Sequence, residues 1–88
     1  MSPELETLDQ LLGGPLPLAV IRGVYPDVET FRVGVFGLLT SGDVCLLTSD
    51  RTEVPSWRWR ELFVDGAGVK ELGNMKLEIT SQGVRRIA

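Results

Sequence analysis

The sequence predicts a mainly β protein: a small antiparallel β-barrel or sandwich of six or seven short strands behind one N-terminal α-helix. Three observations carry this expectation. Runs rich in β-branched and aromatic residues recur at short intervals, over residues 18–24, 31–37, 44–48 and 75–80. Turn signals separate them: Tyr25-Pro26-Asp27, Ser41-Gly42-Asp43, Asp65-Gly66-Ala67-Gly68 and Gly73-Asn74. Gly34 and Gly37 stand inside the second run, where each would weaken a helix by about 1 kcal/mol. Regular turn spacing of this kind fits a small all-β architecture.

The elements follow in order. Ser2 caps a helix, Pro3 suits its first turn, and Glu4 and Glu6 favour the positive end of its dipole. Leu5, Leu8, Leu11 and Leu12 make one apolar stripe, and Gly13-Gly14-Pro15 stops it, giving a helical segment over residues 1–14. A helix of about ten residues is marginal alone, so it must dock on its own domain or on another subunit. Residues 17–88 are expected to form the β part of a single domain spanning 1–88. There Phe31, Val33 and Val35 alternate with Arg32, Gly34 and Phe36. Ser41-Gly42-Asp43 reads as a hairpin returning through residues 44–48. Residues 57–64 fit a strand or a helix; the hairpin-like Asp65-Gly66-Ala67-Gly68 favours a strand for the second half. A strand at residues 75–80 and a short last run at 84–87 complete the chain. The expected core is Leu18, Val20, Val33, Val35, Leu46, Trp59, Phe63, Leu77 and Ile79.

Composition bounds the chemistry. With 88 residues the chain is one small domain with little core to spare, and oligomerisation is a common remedy. A net charge of −3 and a pI of about 4.8 disfavour a generic nucleic-acid binder. Cys45 is the only cysteine and reads as a buried, inert thiol; with no histidine in the chain, it lacks the usual base for nucleophilic work. Asp27, Asp43, Asp50 and Asp65 fall in turns, where such side chains bond their own backbone. Gly66-Ala67-Gly68 starts like a dinucleotide loop, but Glu71 stands where the third glycine belongs. No enzyme, metal or cofactor is expected, and neither is a membrane span or a secretory leader. The expectation is a soluble intracellular protein.

Two binding patterns are weighed. Trp57, Arg58, Trp59 and Arg60 would suit single-stranded nucleic acid on a barrel face, but strand alternation sends tryptophans and arginines to opposite sides. Residues 77–86 look like the wing hairpin of small winged-helix regulators, which requires two preceding helices; Gly34, Gly37, Gly42 and the strand-like alternation argue against these.

The block Ala19-Val20-Ile21-Arg22-Gly23-Val24, with Tyr25-Pro26-Asp27 after it, resembles the lambda-type tail-attachment (head–tail joining) proteins of long-tailed bacteriophages. Residues 33–37 and 44–49 stand for that family's strand pair, Phe63-Val64-Asp65-Gly66 for a strand and turn, and Met75-Lys76-Leu77-Glu78-Ile79 for its closing strand. The resemblance implies a structural neck protein of a phage or prophage, a ring oligomer of itself between head-completion or portal proteins and the tail tube. It would assemble in the host cytoplasm and end in the virion neck. The connection at residues 26–31 is shorter than in that family. Leu5 and Leu8 on the helix, with Tyr25, Pro26 and Asp27 in the turn, are the candidate subunit or partner contacts.

Overall fold

The computed structural model describes residues 2–64 and 73–87, and it overturns the β expectation. Among the described residues five helices dominate, and the sheet has three short strands. Helix α1 is Pro3–Leu11, capped by Ser2, whose hydroxyl accepts the Leu5 N–H at 3.3 Å. Strand β1 is Leu16–Pro17, helix α2 is Leu18–Arg22, and helix α3 is Val28–Ser41. Strand β2, Val44–Leu47, leads into an excursion holding a 3₁₀ turn at Ser56–Arg58 and helix α4, Trp59–Phe63. The chain returns in β3, Lys76–Ile79, and closes with helix α5, Ser81–Ile87.

The largest correction is α3. The period-2 reading of residues 31–37 overlooked a stronger period near 3.6: Phe31, Val35, Leu38 and Leu39 lie at i, i+4, i+7 and i+8, and all four are buried. Burying four such side chains contributes roughly 6–12 kcal/mol. The two interior glycines cost about 2 kcal/mol together. Packing wins. Both ends of α3 are also written in the sequence. Asp27 accepts the Thr30 N–H at 2.8 Å as N-cap, and Gly42, at φ +85°, provides the left-handed C-cap. Ser41-Gly42-Asp43 is thus a helix stop and not a hairpin turn.

The same error recurs elsewhere. Residues 18–24, expected as a strand, hold α2; residues 57–64 hold the 3₁₀ turn and α4; and the last run lies in α5. Val20 and Val33, expected in the core, are 48% and 69% exposed, since each sits on the outer side of its helix. Leu18, Val35, Leu46, Phe63 and Leu77 are buried, and Trp59 and Ile79 pack partly against them. The return of residues 69–72 and the Asp65-Gly66-Ala67-Gly68 turn lie outside the described residues.

β3 is the central strand. It pairs antiparallel with β1 through Leu16↔Leu77 and Pro17↔Lys76, and with β2 through Val44↔Ile79 to Leu47↔Lys76. The strand order is therefore β1-β3-β2, with α2 and α3 inserted between β1 and β2. The two helices that a wing at residues 77–86 would require are present, as α2 and α3. Residues 77–86 form β3 and α5, not a wing hairpin. Within the excursion between β2 and β3, α4 packs on α3, with the Phe31 and Phe63 rings 6.4 Å apart.

Two close approaches set the scaffold. The ring of Tyr25 lies over Gly34, where a Cβ would come within 2.5 Å of Tyr25 Cε1. Gly83 places α5 on the α3–β2 connection, where a Cβ would meet the Asp43 carbonyl oxygen at 2.2 Å. Asp43 itself is 1% exposed; its carboxylate accepts from Ser41 Oγ at 2.9 Å and pairs with Arg86 of α5. No helix among the described residues is long and apolar enough to cross a membrane.

Candidate interaction surface

The outward face of α3, with the end of α4 beside it, gathers three of the seven large apolar side chains that stand exposed among the described residues: Val28, Val33 and Val64. Five of the fourteen residues of α3 turn inward, so the opposite side presents Val28, Glu29, Val33, Gly37 and Thr40 to solvent, with Phe36 half-buried beside them. Val28 is 47% exposed, and Val64, at the end of α4, adds another exposed apolar group. Three hollows line this face, and Val33 borders all of them. One is open and framed by Asp27, Val28, Glu29 and Thr30. A second, of about 200 Å³, lies between α3 and α4 and is lined by Arg32, Phe36, Phe63 and Val64 among others. The third runs to the far end of α3, where Gly37 and Ser41 meet Glu4 of α1 and Arg86 of α5.

The electrostatics of the face are specific. Arg32 is the one basic residue of α3, and its side chain is committed: Nε donates to the Phe63 carbonyl at 2.8 Å and Nη2 to that of Val64 at 2.8 Å. It caps the C-terminus of α4, where a cation meets the negative end of the dipole. At the N-terminus of α3, which would otherwise draw an anion, the Asp27 carboxylate already accepts from Thr30. Hydrogen bonds from the Thr30 hydroxyl and amide hold the Asp27 carboxyl below the usual carboxylate range. Glu29 adds a second negative charge. The outward face of α3 thus offers acid and hydrocarbon where a phosphate backbone needs cations and base edges need donors.

The residues singled out from the sequence are dispersed. Leu8 is fully buried, Leu5 packs against the core, and both belong to the face of α1 that docks on its own domain. Tyr25 is 4% exposed, its ring edge-on to Phe31 and its hydroxyl 3.4 Å from that of Thr7; burial pushes its pKa up. Pro26 and Asp27 are exposed, and Asp27 borders the α3 face. Trp57, Arg58, Trp59 and Arg60 form no alternating face. Trp59 turns inward and its indole N–H donates to the Val54 carbonyl at 3.2 Å, whereas Trp57 is 76% exposed and Arg60 is exposed. Asp50 accepts from Thr48 and Thr52 within its own turn, and its carboxyl is lowered by them. Asp43, expected to bond its own turn backbone, instead anchors α5.

Cys45, on β2, is half-buried. Burial raises its thiol pKa, and the carboxylates of Glu78 and Glu53 raise it further. That is the reverse of what activates a cysteine nucleophile. The α3 face is hidden in the sequence because period-2 alternation turns Val33 inward. The signal that could have found it is the Asp27 cap followed by the 3.6-residue period, which turns Val33 outward. The chain matches no protein-family model, no curated protein and no solved structure.

Proposed function

We propose that the chain is a non-catalytic binding module that recognises a protein partner through the outward face of α3. The observation that carries this is Val33: a β-branched apolar side chain, 69% exposed, at the meeting point of three hollows on one helix. Exposed apolar groups clustered and rimmed by charge are what interaction sites look like. The side chains on the outward face of α3 are acidic, apolar or hydroxyl-bearing, and the one arginine of α3 is engaged within the chain.

Head–tail joining would be one setting for such a module. Of the segments on which that resemblance rests, residues 19–22 and 33–37 are helical and residues 44–47 and 76–79 are strands, so the fold does not decide for it. A locus carrying portal and tail genes would be the observation in its favour.

The test is site-specific photo-crosslinking in the source cell. A photoreactive residue replaces Val33, with Ala19 on the exposed side of α2 as control. A discrete protein adduct at position 33 and none at position 19 is the expected result. Alongside it, labelled duplex and single-stranded oligonucleotides are titrated at low salt. Binding in the micromolar range, weakening steeply with salt, together with no adduct at position 33, would overturn the protein-partner reading.

A further inference from the structure

Resting on that reading of the α3 face, we infer that the partner is a second copy of this chain, with two α3 helices packed antiparallel about a twofold axis. Glu29, Val33, Phe36 and Thr40 are spaced by four, three and four residues, so they form one seam along the outer side of α3. Run against itself in reverse, this seam sets Val33 opposite Phe36 of the second copy and Glu29 opposite Thr40. The apolar pair falls at the centre and the polar pair at the rim, as a closed isologous contact requires. Gly37 flanks the seam, and nothing lies within 4 Å of where its Cβ would be. Its missing side chain leaves room for the helices to approach.

Charge selects the direction. One end of the face carries Asp27 and Glu29. The other end carries Arg86, whose side chain is 50% exposed although it pairs with buried Asp43, and Glu4 shares that hollow. Antiparallel pairing sets each Glu29 at the end that holds Arg86 and Glu4 of the second copy; parallel pairing would set Asp27 and Glu29 against their own counterparts. The size of the face sets the strength. Fourteen helical residues span about 21 Å. A strip of that length and about 20 Å width buries on the order of 800 Å² over both copies, which belongs to the weak, reversible class of interface. The pair should therefore form in the micromolar range or above.

Sedimentation velocity from about 5 to about 500 µM, bracketing that range, should show the chain passing from monomer toward dimer. Val33→Glu should stay monomeric throughout while keeping the wild-type thermal melt, because Val33 touches little of its own core. Orientation is read by disulfide trapping in a Cys45→Ser background. A mixture of Glu29→Cys and Thr40→Cys chains should cross-link several-fold faster than either alone. A monomer at every concentration, a Val33→Glu chain that still dimerises, or faster trapping of Glu29→Cys with itself would each overturn the pairing. A position-33 adduct to a different protein, from a chain that is monomeric when purified, would also overturn it while sparing the protein-binding reading. No adduct, with oligonucleotide bound instead, would sink both.

Discussion

Two glycines in one helix should respond to the same substitution with opposite signs. Gly34 and Gly37 both lie inside α3, and Gly→Ala at either gains about 1 kcal/mol of helix propensity. At Gly37 the added methyl meets open space, so the gain is kept. At Gly34 it would lie 2.5 Å from Tyr25 Cε1, 2.8 Å from the hydroxyl oxygen and 2.9 Å from Cζ. Tyr25 cannot easily swing away: it is 4% exposed, packs edge-on against Phe31 at 5.8 Å and shares a hydrogen bond with Thr7. Overpacking of this kind costs about 1–3 kcal/mol, so Gly34→Ala should come out neutral to about 2 kcal/mol destabilised. For a domain of this size 1 kcal/mol moves Tm by about 4–8 °C. Circular dichroism melts at the lowest workable protein concentration, where the monomer predominates, should place Gly37→Ala above wild type and Gly34→Ala at or below it. A Gly34→Ala chain that rises as far as Gly37→Ala would refute the Tyr25–Gly34 packing, and with it the positions of α3 and the turn before it.

Two more outcomes follow from the buried groups. Arg86→Ala leaves the Asp43 carboxylate without its cation; stripping a buried pair costs about 3–5 kcal/mol, reduced here because Arg86 is half-solvated and Ser41 still donates. A loss of about 2 kcal/mol, seen as a shift of the urea midpoint with unchanged slope, is expected. No shift would mean that α5 is not anchored there. Cys45, with its thiol pKa raised by burial and by Glu78 and Glu53, should react with iodoacetamide at pH 8 several-fold more slowly in the native chain than in denaturant. Equal rates in both states would place β2 in solvent.

How much of this was legible in the sequence depended on the range of the signal. Short-range chemistry was readable: the Ser2 cap and Pro3 fix α1, and residues 44–48 and 75–80 contain β2 and β3. The helices α2, α3 and α4 were missed for one shared reason. Val, Ile, Phe and Trp fit a strand by propensity, and glycine argues against a helix, but both preferences amount to about 1 kcal/mol per residue. Tertiary burial of Ile21, Phe31, Val35, Leu38, Leu62 and Phe63 in one core exceeds that several-fold. Such burial is a property of the whole chain, and no single window of sequence displays it. The candidate surface was hidden by the same inversion, because a strand puts Val33 on the face of Phe31 and Val35 whereas a helix puts it on the opposite side. The glycines then change meaning. Gly34 admits the Tyr25 ring, and Gly37 clears the outer face of α3. A helix that tolerates two poor helix formers, one to receive its own domain and one facing outward, is shaped on both sides. The outward glycine is the costlier feature to explain without a second body against it, since alanine there would stabilise the isolated chain.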